Sequence, residues 1–328
     1  MQPFAFAPAA DLSDAAMRAE KGAEWIAGGT DMLQLLQEGV RRPDTILDIT
    51  LLPLAGIQQE QDGALRLGAL TTLQDAADTD VLRRRFPVVA EALDATASPM
   101  VRHMATIGGN LLQRTRCLYF RDVTTPCNKR EPGSGCSARD GENRINAILG
   151  GSEHCIAVQP SDLPVALVAV DAEVLLRRTD GAEHWIAVEE FYRSPGDTPH
   201  IETVLEPGDL ILAVRIPASA AARRSHYVKV RDRASFSWAL ASCAVSLRME
   251  ADGTVVHASL AAGGVATRPW RLTQVEKVLI GQRLDTALIS IAAQEATAGS
   301  APLPGNTYKV PLLRNTVERA LLEIGGLA

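Results

Sequence analysis

Four of the five cysteines, Cys117, Cys127, Cys136 and Cys155, fall within 39 consecutive positions in the spacing C-x9-C-x8-C-x18-C. The chain around them, from Arg114 to Glu153, is rich in Cys, Gly, Pro, Arg and Asn and has almost no apolar periodicity. So long an irregular insert points to function or disorder rather than to core. Cysteines placed there have no core to fill. Cys243, in the apolar run from Ala239 to Val245, reads instead as a small buried hydrophobe. An odd cysteine count in a chain of 328 residues argues against a secreted disulfide scaffold, which leaves a metal or redox role for the cluster. The spacing lacks the C-x2-C pairs of zinc ribbons and bacterial ferredoxin loops. Four thiolates can hold Zn²⁺, [2Fe–2S] or [4Fe–4S], and ligand count does not choose among them.

On either side of the insert the chain has ordinary αβ patterning. Glu24 to Ala27 reads as a strand, Gly28-Gly29-Thr30-Asp31 as a turn, Met32 to Glu38 as a helix and Thr45 to Ile49 as a second strand. A further strand at Leu65 to Ala69 and helices at Leu73 to Ala77 and Val88 to Ala97 lead to a second glycine turn, Thr106-Ile107-Gly108-Gly109-Asn110. Order resumes at Pro160. An apolar helical run reaches Val170, a hairpin pairs Glu173–Arg178 with Glu183–Val188 around Asp180-Gly181, and Asp209 to Pro217 is a strand. Ala218 to Ala222 reads as a linker. Beyond it lie a strand from His226 to Val230, a helix or strand across Ala239 to Met249, a strand from Val255 to Ala261 and helices near Leu272–Ile280 and Asn315–Ile324. The chain therefore divides into residues 1–218, with units of about 1–55 and 56–218 and the insert at 114–156, and a separate αβ domain at 223–328.

Composition narrows the partners. Net charge is −6 with interspersed signs and aromatic content is 4%, so neither a nucleic-acid groove nor a stacking platform is expected. No stretch approaches the roughly 18 apolar residues of a membrane span. The opening segment MQPFAFAPAADLSDAA lacks a basic region followed by an apolar run, so no export signal is expected in it. No G-x-S-x-G elbow or H-E-x-x-H site is present, and His103 and His154 read as surface or loop residues.

The two glycine turns carry the binding chemistry. Between a strand and a helix, glycines let backbone N–H groups approach a phosphate and the helix start adds partial positive charge. Neither turn is G-x-G-x-x-G, so a Rossmann reading is unsupported, and each alone also reads as a plain turn. In the basic run from Lys229 to Arg233, Arg231 and Arg233 read as a solvated strand end.

The segments Ile26-Ala27-Gly28-Gly29-Thr30-Asp31-Met32-Leu33, Thr106-Ile107-Gly108-Gly109-Asn110, Ser161-Asp162 and Tyr227-Val228-Lys229 occur in order, followed by Leu260 to Ala266 and Pro269-Trp270-Arg271. This chain resembles, over nearly its whole length, the FAD-binding subunits of the xanthine dehydrogenase and aldehyde oxidase family of molybdenum hydroxylases. Most of those subunits lack the cysteine stretch. Here Gln113 to Cys117, Pro126 to Arg130 and Gly133 to Cys136 are similar to segments in flavin subunits of bacterial periplasmic aldehyde oxidoreductases. There the four cysteines hold a [4Fe–4S] cluster.

The resemblance implies an α+β fold of the PCMH type, two αβ subdomains clasping FAD, plus a C-terminal αβ domain of the CO dehydrogenase flavoprotein type. Ile26, Ala27, Gly28, Gly29, Thr30, Asp31, Met32 and Leu33, with Thr106, Ile107, Gly108, Gly109 and Asn110, would hold the pyrophosphate and ribitol. Asp162, Ile211 and Lys229 would lie nearer the rest of the flavin. Cys117, Cys127, Cys136 and Cys155 would be the cluster ligands. The resemblance further implies a large molybdenum-cofactor subunit that oxidises an aldehyde, a small subunit with two [2Fe–2S] clusters, an external electron acceptor, and export to the periplasm as a folded complex on a partner's signal, with the cytoplasm as the alternative location. Two rivals stand beside it. One is the flavin subunit of an aromatic thioester reductase, with electrons running the other way, and the other is a zinc-stabilised binding module without redox chemistry.

Overall fold

The computed structural model describes all 328 residues and contains three sheets. Strands β1 (Ala5–Pro8), β2 (Glu24–Ile26) and β3 (Thr45–Asp48) form a small parallel sheet in the order β1-β3-β2. Parallel neighbours need crossovers, and the helices Leu12–Glu20 and Met32–Gln37 supply them. Strands β4 (Ile57–Gln59), β5 (Leu65–Gly68), β6 (Glu173–Arg177), β7 (Glu183–Ala187) and β8 (Leu210–Ile216) form an antiparallel sheet in the order β4-β5-β8-β6-β7. The last sheet, β12-β11-β10-β9, is antiparallel and comprises β9 (Ser225–Val230), β10 (Ala241–Met249), β11 (Val255–Gly263) and β12 (Trp270–Arg271).

The ambiguous segment Ala239–Met249 is the strand β10. Its first seven residues are all buried because helix Lys309–Gly325 packs on it from one side and helices Pro87–Ala95 and Leu163–Val168 reach it as well. A strand buried on both faces loses the alternation by which sequence reveals it. The expected linker is also different. Ser219 accepts a hydrogen bond from Ala221 N at 3.1 Å and starts one helical turn, Ala220–Arg223, whose Ala221 and Ala222 are buried. Helix Thr286–Glu295 and strands β1 and β4 carry patterns too short or too uniform to be read from the chain.

The apolar cores cross the chain's apparent boundaries. Tyr227, Ala244 and Ala261 of the last sheet belong to the same buried cluster as Leu93, Ile107 and Val165. Ile148 and Leu149, at the end of the insert, enter the core of the C-terminal region beside Val265 and Leu313. The insert itself has one short helix, Leu118–Arg121, and is otherwise turns and loops.

Candidate functional site: a glycine-lined cleft beside a cysteine pocket

A cleft of about 810 Å³ opens where the loops after β2 and before helix Ile107–Leu111 meet. That volume lies in the range of cofactor and ligand sites, roughly 300–1,000 Å³. Ile26, Ala27, Gly28, Gly29, Thr30, Asp31 and Met32 line it, with Thr106, Gly108, Gly109 and Asn110 from the second loop and Ile211 from β8. Leu33 points outward, 47% exposed. Ile107 is fully buried in the core below the loop. One turn of helix places consecutive residues on different sides, so not every member of a motif reaches the cleft.

Each glycine pair answers a packing need as well as a ligand. A Cβ on Gly28 would sit 1.7 Å from the Met104 carbonyl oxygen, so only glycine lets the first loop lie against the second. Gly29 has φ +70°, a left-handed conformation that β-branched residues avoid. Gly108 is pressed against Ala69, whose Cβ would lie 3.0 Å from an added Cβ. Thr106 caps the second loop by accepting from Gly109 N at 3.2 Å.

Asp162 and Lys229 stand one layer behind the cleft. Their side chains are 3% and 4% exposed and joined at 2.7 Å. Tyr227 donates to the same carboxylate at 2.7 Å, Thr96 donates at 3.3 Å, and Lys229 also donates to Ala95 O at 3.0 Å. Burial, then the facing Asp162, pushes the Tyr227 phenol well above its usual range. Every partner in this buried group is satisfied, and Thr96 is the member that lines the cleft. Asp162 and Lys229 thus position the wall and clamp β9 to the helices Pro87–Ala95 and Leu163–Val168. Ser161 reinforces the second loop by donating to Asn110 Oδ1.

The arginines were not legible as cleft residues. Arg41, Arg114 and Arg116 line it. Asp31, expected to face a ligand, spends its carboxylate on the insert, accepting from Arg114 N at 2.9 Å, Arg116 Nη2 at 2.8 Å and Arg121 Nη2 at 2.9 Å. The Arg116 guanidinium lies 4.4 Å from the Trp238 ring centroid, which brings the β9–β10 loop to the cleft. The one signal in the sequence was Gln113-Arg114-Thr115-Arg116 directly after the second glycine turn.

Cys117, Cys127, Cys136 and Cys155 come together around a small pocket, with Phe120, Asn128 and Lys129 in its wall. Cys127 and Cys136 are paired across an antiparallel bridge. Donors turn toward the sulfurs: Ala157 N lies 3.4 Å from Cys155 Sγ and Asn146 Nδ2 3.6 Å from Cys117 Sγ. Burial pushes the Cys136 thiol up, against backbone N–H groups of Ala138, Ile156 and Arg139. Burial likewise raises Cys155, to about 11, against the pull of Lys129. Buried thiols that are costly to ionise alone, ringed by N–H donors, suit a cationic group that pulls off their protons. No three Cys, His, Asp or Glu side chains converge on one point. A single tetrahedral ion would require convergence at about 2.3 Å per sulfur, whereas a polynuclear cluster spreads its thiolates over several metals. Four thiols around one pocket are a soft donor set of the kind that holds zinc or an iron–sulfur cluster. Lys129, Cys155 and Ala157 line both this pocket and the larger cleft.

Residues 2–219 match the FAD binding domain in molybdopterin dehydrogenase, and residues 226–324 match the CO dehydrogenase flavoprotein C-terminal domain. The chain belongs to that FAD-binding family. It is 40% identical to the aldehyde oxidoreductase FAD-binding subunit PaoB of Escherichia coli K12, with 98% of each chain covered. It is 26% identical to the carbon monoxide dehydrogenase medium chain of Hydrogenophaga pseudoflava, covering 91% of this chain and 88% of that one. A solved carbon monoxide dehydrogenase structure from the same organism superposes over 100% of both chains with TM-score 0.77 at 24% identity, which shows a shared fold. The expected mixed αβ architecture, the FAD-binding family and membership of an oxidoreductase family are thereby established. Both glycine loops of the cleft lie inside the segment that matches the FAD binding domain.

Proposed function

We propose that this chain is the FAD and [4Fe–4S] subunit of a molybdenum-dependent aldehyde oxidoreductase. The observation that carries the reading is that all four insert cysteines line one pocket, which shares a wall with the cleft. Likeness to an aldehyde oxidoreductase subunit over nearly the full chain supports the substrate class. In the proposal, a large partner subunit holds the molybdenum cofactor and oxidises the aldehyde, and a small partner carries two [2Fe–2S] clusters. FAD in the cleft supplies the exchange between one-electron donors and an external acceptor.

This chain's residues bind and orient. The loop from Ile26 to Met32 and the loop from Thr106 to Asn110 offer backbone to the pyrophosphate and ribitol, and the guanidinium groups of Arg41, Arg114 and Arg116 make the cleft wall favourable to an anionic cofactor. Ile211 forms apolar wall, while Asp162 and Lys229 hold that wall in place from behind. Cys117, Cys127, Cys136 and Cys155 would ligate the cluster, whose role in the proposal is structural, tying the insert to both parts of the chain. The complex would be exported folded to the periplasm on a partner's signal.

The test is metal, acid-labile sulfide and flavin analysis of the anaerobically purified complex, followed by aldehyde-dependent dye reduction. About four iron and four sulfide per chain with one FAD, and reduction with aldehydes, are expected. Zinc without flavin, or flavin reduction by no aldehyde of any size, would defeat the proposal.

A further inference from the structure

Lys129 is 9% exposed, and its ammonium donates to Pro199 O at 2.9 Å and Glu202 Oε1 at 2.8 Å. Glu202 also pairs with Arg114, and Arg114, Pro199 and Glu202 all line the large cleft. Burial works against the Glu202 carboxylate, yet Arg114 and Lys129 hold its pKa below the usual value, so it stays charged. Two cations around one anion leave a net positive charge in the wall. Lys129 follows Cys127 by two positions and also lines the cysteine pocket, where Cys155 faces it. A charge in a poorly solvated wall acts over several ångströms on both sides, because little water screens it.

We infer that Lys129 is a positioning residue for two redox centres at once, one buried ammonium that raises the reduction potential of both the flavin in the cleft and the cluster in the cysteine pocket. The inference rests on the cofactor reading above. Its physical basis is that each centre gains negative charge on reduction, so a fixed cation favours both reduced forms. It predicts that the two potentials move together and in the direction set by the sign of the charge removed.

The experiment is a redox titration of the assembled complex, following the flavin by absorbance and the [4Fe–4S] signal by EPR apart from the partner's [2Fe–2S] signals. In Lys129→Met both midpoints fall, so that at a fixed potential the reduced-to-oxidised ratio of each centre drops about tenfold. In Lys129→Arg both stay near wild type. In Glu202→Gln, which removes the neighbouring negative charge, both midpoints rise, and this variant decides the matter if Lys129→Met does not assemble. Movement of only one centre, or of neither, in a folded variant overturns the inference. Iron-free wild-type complex is a different result: it refutes the cluster reading itself, and is seen before any variant is made.

Discussion

The glycine-lined cleft and the cysteine pocket share Lys129, Cys155 and Ala157, yet they are built in opposite ways. The cleft is made by backbone: two glycine turns seated on strands and short helices, with Ile107 and Ala69 of the main apolar core directly beneath. The pocket has only a small apolar cluster around Phe120 and Ala138 and is held by side chains. Asp31 gathers Arg114, Arg116 and Arg121 at its entry, and Arg130 donates to Tyr119 O and Phe120 O within it. At its exit the buried Lys309 donates to Ile145 O at 2.9 Å and to Gly264 O at 2.6 Å, while Asn306 donates to Asn146 O at 3.3 Å. Burial brings the Lys309 ammonium down to about 7. A core-supported site tolerates loss of a ligand contact, whereas a site tied by charged side chains depends on each tie being paired.

The largest effect expected from breaking this contrast is Gly28→Ala. The added methyl collides with the Met104 carbonyl, so the two loops must separate, at a cost of about 3 kcal/mol. Purified complex should lose FAD while keeping its iron, as read by flavin extraction and metal analysis. Retained flavin would show that the loops yield without opening the cleft.

Asp31→Ala strikes the tie between the two sites. It takes one carboxylate from two guanidinium groups whose side chains are 16% and 11% exposed, leaving Arg116 with Gln34 and Arg121 with Glu38. Loss of about 2 kcal/mol in chemical denaturation, with loss of both flavin and iron, is expected. An unchanged iron content would mean that the insert docks without this carboxylate.

Cys117→Ser should act chiefly on one side, removing iron while FAD stays bound, because Cys117 lines the pocket and not the cleft and the glycine loops rest on the main core. Equal loss of both cofactors would refute the separation of core-held cleft from side-chain-held pocket.

The smallest effect concerns the contact between helix Pro87–Ala95 and the last sheet. His226 lies between Glu91 at 2.8 Å and Glu323 at 2.6 Å, and the hydrogen bond to Glu91 chiefly raises its pKa. A folded pKa above the unfolded value of about 6.5 gives stability that is complete below that pH and lost as pH rises through the folded pKa. These side chains are 28% to 39% exposed, so solvent screening limits the contribution to about 1 kcal/mol. In thermal unfolding, wild type should exceed His226→Gln at pH 6 and lose that margin by pH 9. A margin equal at both pH values would show that the imidazolium is not what these carboxylates stabilise.

Local chemistry was legible in the chain. Strand, glycine pair and helix follow one another at both loops, and these depend on backbone freedom and short-range periodicity that neighbours in sequence already express. The four thiols announced a common site because an insert without apolar pattern gives them no other use. Their order and spacing said nothing of where that site would lie. That it shares a wall with the cleft, that Asp31 turns from a ligand to three arginine donors, that Asp162 and Lys229 stand behind the wall, and that Lys129 is buried between two sites were decided only by folding. Each of these pairs residues many positions apart, and such contacts are chosen by which buried charge must find a partner once the sheets and helices have packed.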